Sequence, residues 1–523
     1  MRRHRIIAIA LAALALPAAA QETPRRGGTL VYAVNAEPPG YDCQGTTTFV
    51  MMQTVGPHYS RLLKFDPDDY PAITGDVATS WEVSPDRLSY VFKLKPGVKF
   101  HDGSALTSAD VKATYERIRN PPEGVVSVRK ARLEEIASIE TPDPLTVTFR
   151  LKRPDSSMLL NFASPWNCLY SAAKLAADPR FPEKNIMGSG PFRFVESVRG
   201  SHWVGARFDD YHEKGKPYLD GFRAQIMSGP AVVNALQGGQ IMAQFRGLSP
   251  AERDRLKQAL GDRITVVESP WLCKLDLFFN NAKKPYDDLR VRKALTLAVD
   301  RWAGAQALSR TAFVKEVGAA IRPGHPMAMT PREIESFPGF GRDGAAAKAE
   351  ARRLLKEAGQ ENLKFRLVTR DEPQPFSPVA VYLIDQWRQV GVAVENGPVG
   401  VAQQKQAYLA GNFEVGLDAN CFDVDEPDSQ LLLYVSTDRS PVNLAHYVDR
   451  EMDALYDRQK RAESDVEQLS AIRAFEARLL DNAYAGPVVW WQRIVAHSPA
   501  LRGWKLLPSH YVNQDLAGVW LAQ

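Results

Sequence analysis

The chain has 523 residues, 45% of them hydrophobic and 24% charged, values of an ordinary globular protein that exclude a disordered or low-complexity chain. Its 65 Lys+Arg against 61 Asp+Glu include Arg2, Arg3 and Arg5; beyond residue 20 the balance is 62 to 61, which leaves no charge argument for a nucleic-acid or membrane-surface partner. A single core does not grow to about 500 residues, so two or three domains are expected.

The three arginines, the apolar run Ile6 to Leu16 and the small residues Ala18-Ala19-Ala20 make up a secretory signal over residues 1–20. The run is shorter than the roughly 20 residues that span a bilayer. No cysteine stands at the cleavage point, so a lipid anchor is not expected. Thr29 to Val34 reads as a buried strand. In Ala78 to Ile118, Tyr90, Phe92 and Leu94 alternate with Val91, Lys93 and Lys95, a half-buried strand between the turns Ser84-Pro85-Asp86 and Pro96-Gly97. Val98 to Phe100 begins a second short strand. Thr107 to Asp110 then reads as a capping box for a helix bearing Val111, Tyr115 and Ile118 on one face. Arg129 to Ile139 reads as a helix, and Thr146 to Leu151 as a strand. Gly188-Ser189-Gly190-Pro191 leads into a hairpin; Pro191 and the lack of a third glycine opening a helix argue against a dinucleotide fingerprint.

Ser249 to Glu252 is a second capping box, opening a helix to Leu260. Ile264–Glu268 and Leu275–Asn280 are strands on either side of Cys273, and a helix with Val291, Ala294, Leu295 and Ala298 on one face follows Lys284-Pro285. Helices Ala345–Ala358, Val379–Val390 and Gln403–Ala410 then alternate with strands Phe365–Thr369, Val392–Glu395 and Phe413–Leu417, before a long helical region within Glu451–Leu480. Such alternation predicts α/β layers with largely parallel pairing. Four cysteines in an exported chain permit disulfides in three pairings, and none forms a CxxC pair. The nine histidines show no HExxH or other metal-ligand spacing, and no P-loop, G-x-S-x-G elbow or catalytic dyad is visible. No cofactor and no metal are expected.

Three segments carry a resemblance. Trp81 to Val111 reads W-E-V-S-x-D-x-x-x-Y-x-F-x-L-x-x-G-V-x-F-H-D-G-x-x-L-T-x-x-D-V, Gly188 to Phe192 reads G-x-G-P-F, and Asn281 to Arg301 reads N-x-x-K-P-Y-D-D-x-R-V-R-x-A-L-x-x-A-V-D-R. Together they resemble extracytoplasmic solute-binding proteins of family 5, the peptide-, dipeptide- and nickel-chelate-binding components of ABC importers. The resemblance implies a two-lobed α/β fold of the type II periplasmic-binding class, with a hinge and an inserted domain. Matching landmarks assigns residues 21–45, 170–270 and 488–523 to lobe I, 46–169 to the inserted domain and 271–487 to lobe II. The chain would cross between lobes near Ser269-Pro270-Trp271 and near Pro487 to Trp490.

The resemblance also implies a periplasmic monomer that captures a short peptide or similar zwitterion without altering it and delivers it to ABC permease subunits, with no nucleic-acid partner. Cys273 and Cys421 match a disulfide of oligopeptide-binding relatives, leaving Cys43 with Cys168. Asp423 stands where peptide-binding relatives place the partner of the ligand's α-ammonium. Arg370, 53 positions upstream, has the spacing of the arginine that takes the ligand's carboxylate, a task suited to its bidentate fork. Asn420 replaces the tryptophan usual before that cysteine, which argues against a long-peptide pocket. Tyr41, Asp42, Trp387, Trp490 and Trp491 are candidate cleft aromatics and neighbours. The acids Asp423, Asp425, Glu426 and Asp428 do not fit a calcium loop, because Pro427 and Asp428 stand where a ligand and a glycine are required; they read as the start of a helix. Relatives with similar landmarks carry nickel chelates, opines, sugars or organic acids, and a periplasmic peptide hydrolase or a chaperone are the readings of another class.

Overall fold

The computed structural model describes residues 22–522; the signal segment read over 1–20 lies outside them. Thr265–Phe279 and Ala485–His497, 15 and 13 residues long, form the spine of the fold. Their sequences are apolar almost without alternation from Trp271 and Ala485 onward, and those stretches are buried, as expected of strands covered on both faces. They pair antiparallel, with the ladder interrupted between Pro270 and Lys274. Pro270 has no N–H to donate there.

The sheet grows from this pair in two directions. On one side Val415–Cys421 pairs antiparallel with Thr265–Phe279, and Lys364–Arg370 and Ala393–Val399 follow in parallel register. On the other side come Ala243–Gln244, Thr29–Val34, Gly221–Ile226, His202–Arg207 and Phe192–Val198. Each side has its own core, one around Leu295, Leu367, Leu383 and Trp387, the other around Tyr32, Trp166, Trp203 and Phe222. The molecule is therefore a two-lobed α/β protein whose lobes share two long strands. A separate antiparallel sheet, in the order Ala78–Val83, Ser89–Leu94, Thr146–Leu151, Ile136–Asp143, covers helix Ser108–Arg119. Its core holds edge-to-face rings, with Tyr115 to Phe149 at 5.1 Å and Phe92 to Phe162 at 5.2 Å.

Several local expectations change. The hairpin partner of Ser89–Leu94 is the upstream strand Ala78–Val83, joined through Ser84-Pro85-Asp86; around Val98–Phe100 only a single Lys99–Ala105 bridge forms. Residues 129–139 are not a helix: a one-turn 3-10 segment, Lys130–Leu133, leads into strand Ile136–Asp143. Pairing in the large sheet is mixed, not largely parallel, because the chain leaves through one crossing strand and returns through the other in the opposite direction. The two strands expected around Cys273 are one. The long helical region is two helices, Arg450–Lys460 and Asp465–Asn482, the second capped by Ser464. Disulfides join Cys43 to Cys168 and Cys273 to Cys421, with S–S distances of 2.09 and 2.05 Å. The G-x-G-P-F segment lies against residues 57–59: a Cβ on Gly190 would overlap that backbone, while the Gly190 N–H donates to the His58 carbonyl at 3.0 Å.

Candidate functional site

Strand Val415–Cys421 ends at the Cys273–Cys421 disulfide, and the next residues turn toward the four-stranded unit. Phe422 packs with Leu272 and Trp490, and Val424 enters the core of that unit. Between them Asp423, 7% exposed, receives Arg132 in a two-pronged ion pair: Nη2 donates to Oδ1 at 2.7 Å and Nη1 to Oδ2 at 2.8 Å. Ser164 Oγ donates to Oδ2 at 3.3 Å, and Arg129 Nε lies 3.6 Å from the same oxygen. Burial alone would raise the Asp423 carboxyl; Arg132 and Arg129 outweigh it and hold the group well below the usual carboxylate range.

The contacts continue along the same loop. Arg322 and Asp425 pair at 2.7 Å. Glu426 caps helix Pro427–Leu431 through the N–H groups of Asp428 and Ser429, and accepts from Ser157 Oγ at 2.7 Å. Lys460 reaches Asp155 at 3.8 Å. Burial pushes the carboxyls of Asp155 and Glu426 up to about 7. The acids do begin a helix, and Glu426 rather than Asp423 is its cap.

Arg370 ends strand Lys364–Arg370, and its guanidinium pairs with Asp418 at 2.8 Å and donates to Gln404 at 3.1 Å. Asp418 and Asn420 lie on the strand that leads to Asp423, so three of the residues singled out in the sequence belong to neighbouring strand ends. Asn420 is half-buried and donates to Asp276 Oδ2 at 2.8 Å. Trp490 sits in the same row of the sheet, since Lys274 pairs in register with both Asn420 and Trp490. It is fully buried, its indole N–H donating to the Ala319 carbonyl. Tyr41 lies apart, against Phe194 and Trp203. Asp42 binds Arg117 and Tyr170, Trp387 is core, and Trp491 packs on Trp271 and Phe313.

Sequence reading misses the cations around these positions and, of the rings, Phe422 and Tyr434. Arg129 and Arg132 fall in the segment read as a helix, and no local pattern marks their partner some 290 residues away. Lys274 is buried with Nζ donating to Tyr434 Oη and the Ala320 carbonyl, each at 2.9 Å, amid the faces of Phe422, Tyr434 and Trp490. Burial lowers its ammonium to about 8, opposed by Asp276 and Glu476. A cavity of about 740 Å³ opens beside the crossing strands, lined by Pro270, Trp302, Val317, His325 and Met329. A neighbouring one of about 310 Å³ lies between Arg253 and Glu268 on one side and Ser309 and Lys315 on the other. Both are within the range of small-molecule sites, about 300–1,000 Å³. Asp76, His212 and Glu213 bring possible metal-ligand atoms within 4.8 Å of one another. Lys64 already supplies a cation there, with Nζ 2.6 Å from Glu213.

The family model of bacterial extracellular solute-binding proteins, family 5 Middle, matches residues 72–441. The glutathione-binding protein GsiB of Pectobacterium atrosepticum is 30% identical over 410 residues, 76% of this chain and 75% of that protein. The ABC transporter substrate-binding protein CtaP of Listeria monocytogenes superposes with a TM-score of 0.83 at 22% identity, over 95% of this chain and 100% of that one. The dipeptide-binding protein of Pseudoalteromonas sp. SM9913, in complex with Met-Leu, does so with a TM-score of 0.77 at 22% identity, over 95% and 100%. The reach of the family match, taken with the two lobes on their shared strands, shows that this chain belongs to the bacterial extracellular solute-binding proteins of family 5.

Proposed function

We propose that the protein is the periplasmic substrate-binding component of an ABC importer. It holds a short peptide or peptide-like small solute between its lobes and delivers it, chemically unchanged, to permease subunits in the inner membrane. It acts as a monomer, exported by the segment over 1–20 and not anchored by lipid. The observation that carries this reading is the architecture: two α/β lobes with separate cores, connected by strands whose ladder is broken at Pro270. Contacts that a ligand makes only when the lobes are together shift the equilibrium toward the closed shape, which a membrane partner can read. The relatives named for glutathione and crystallised with Met-Leu supply the substrate class.

Within the proposed cleft, Asn420 stays in the ligand-contacting set. Asp423 and Arg370 are engaged by Arg132 and Asp418 in this form, so their part is to shape the closed state. A micromolar dissociation constant corresponds to about 8 kcal/mol, within reach of a few charge-assisted hydrogen bonds and side-chain burial. The test is native mass spectrometry of whatever copurifies, followed by calorimetry with glutathione, Met-Leu and a tripeptide set. Binding by one of these classes with the peptide recovered intact is expected. A copurifying solute with no peptide character, no binding across the set, or recovery of cleaved peptide would overturn the proposal.

A further inference from the structure

Away from the strands that the lobes share, the four-stranded unit meets the lobe of Val415–Cys421 at a second seam. Helix Arg450–Lys460, whose Met452 and Tyr456 pack with Phe278 and Phe413 of that lobe, ends there. The last carbonyls of a helix find no partner within it, and here the four-stranded unit supplies the donors. The Ser156 N–H reaches the Lys460 carbonyl at 2.9 Å and the Ser156 hydroxyl the Gln459 carbonyl at 3.1 Å. Arg87 Nη1 donates to the Ala462 carbonyl at 2.8 Å, and Gln468 donates back to Ser156 Oγ at 3.1 Å. Ser157 Oγ donates to Glu426 across the same boundary. These contacts lie outside the ladder of the crossing strands, so parting the lobes breaks them while the covalent connection stays.

The carboxylates at this seam outnumber the ammonium that faces them. Lys460 Nζ lies 3.8 Å from Asp155 of the four-stranded unit and 3.9 Å from Asp428 of the lobe. Asp155 is 1% exposed, and its Oδ1 accepts from the Ser157 N–H; Glu426 is 2% exposed, with the negative charge of Asp428 acting on it. From the four-stranded unit Glu134 and Glu135 add negative charge, and Arg153 is held by Glu135. Arg132 is bound to both oxygens of Asp423. From the helix the Tyr456 hydroxyl faces Asp428, while Asp457 is paired with Arg439. Burial pushes Asp155 and Glu426 up to about 7, with Lys460 opposing it at Asp155 and Asp428 reinforcing it at both. With the lobes apart each carboxyl regains water and its ordinary value of about 4. The joined seam therefore holds more protons between those values, and it is favoured as pH falls through 7 and weakened as pH rises through it. One such carboxyl changes the joining constant about tenfold between pH 6 and pH 8.

We infer that this seam is a proton-linked latch: the four-stranded unit closes on the end of helix Arg450–Lys460 with uptake of protons from solvent at Asp155 and Glu426, so that acidification favours the closed form. This rests on the proposed closing of the lobes around a small solute and names a group outside the cleft that sets its equilibrium. The Ser156 amide donates across the seam, so its hydrogen-exchange protection, corrected for the intrinsic rate at each pH, reports the latch without ligand. Protection is expected to be about tenfold or more higher at pH 6 than at pH 8. Asp155→Asn should reduce that ratio at least threefold, and Asp155→Asn/Glu426→Gln should leave it below threefold. Protection of the amides of Thr146–Leu151 reports that each variant is folded. Calorimetry with Met-Leu and glutathione at both pH values is the second readout. The probes' own titration cancels between parent and double variant, and the rise in dissociation constant from pH 6 to pH 8 should be at least threefold smaller in the double variant. An equal pH ratio in parent and double variant, or greater Ser156 protection at pH 8, overturns the latch and leaves the capture reading standing. Binding of neither probe overturns the capture reading, and the exchange measurement still decides the latch.

Discussion

Replacing Asp423 by alanine tests whether the four-stranded unit is fastened to the lobe of Val415–Cys421 by a buried ion pair. The substitution removes two charge-assisted hydrogen bonds and leaves Arg129 and Arg132 without their shared carboxylate. Removing one partner of a buried pair costs about 3–5 kcal/mol, most of it the penalty of the charge left behind. Arg132→Ala should cost less, about 2–3 kcal/mol, because Asp423 keeps Ser164 and gains Arg129, and because the Arg132 side chain is 29% exposed. In the double variant only Arg129 is stranded, so its loss should fall short of the sum of the singles by about 2 kcal/mol. Urea unfolding at pH 7, followed by tryptophan fluorescence, measures all three. The folded pKa of Asp423 is depressed, so the pair stabilises above the unfolded value of about 4 and weakens as pH falls below it. Strictly additive losses, with a coupling below about 0.5 kcal/mol, would refute the assignment of this pair as an energetic contact.

The disulfides close spans of 148 and 125 residues, for which the loop-entropy relation gives ceilings of about 5 kcal/mol each. Cys273→Ala/Cys421→Ala and Cys43→Ala/Cys168→Ala should therefore each lower the urea midpoint by comparable amounts, and added reductant should have no further effect on a variant lacking both. Asp155 is raised by burial to about 7, so its contribution is present below the unfolded value near 4 and is lost as pH rises through 7, by up to about 4 kcal/mol. Thermal midpoints at pH 5 and pH 8 should differ less in Asp155→Asn than in the parent, and an unchanged gap would count against a buried carboxyl there. Gly190→Ala forces a methyl into the backbone of residues 57–59 and should cost at least the roughly 1–3 kcal/mol of overpacking, read as a lower thermal midpoint, whereas Gly200→Ala on an open hairpin turn, with φ of +70°, should cost about 1 kcal/mol.

How much of this was legible in the sequence depended on whether a local pattern had one structural solution. Tyr90, Phe92 and Leu94 alternate because their strand buries a single face, and the strand stands where the alternation puts it. Ile136 and Ile139 are three apart, a spacing compatible with one face of the helix that the sequence predicts over 129–139. In the fold a register shift between Ile136 and Ser138 inserts a residue into the strand, which brings both isoleucines onto the buried side. A helix face and a bulged strand share that spacing, and only the pairing with Thr146–Leu151 separates them. Pro270 likewise interrupts the pattern between the two segments read as separate strands, though the structure carries one strand through it with the ladder open.

The site divides along the same line. Asp423 is singled out by the resemblance of its stretch to peptide-binding relatives, but a carboxylate's meaning lies in its counter-ion. Here that ion is supplied by the turn that was read as part of a helix, so the misreading of residues 129–139 and the missing partner of Asp423 are one error. An incoming ammonium would have to displace a guanidinium held at 2.7 and 2.8 Å on both oxygens and then sit beside Arg129. A bidentate guanidinium pair is stronger than the single-point contact of an ammonium, so the exchange is unfavourable before any other part of the ligand is considered. Arg132 and Arg129 together close off Asp423. Selectivity at this end of the cleft therefore follows from which element brings its cations to the loop after Cys421, and the loop's own sequence does not determine it.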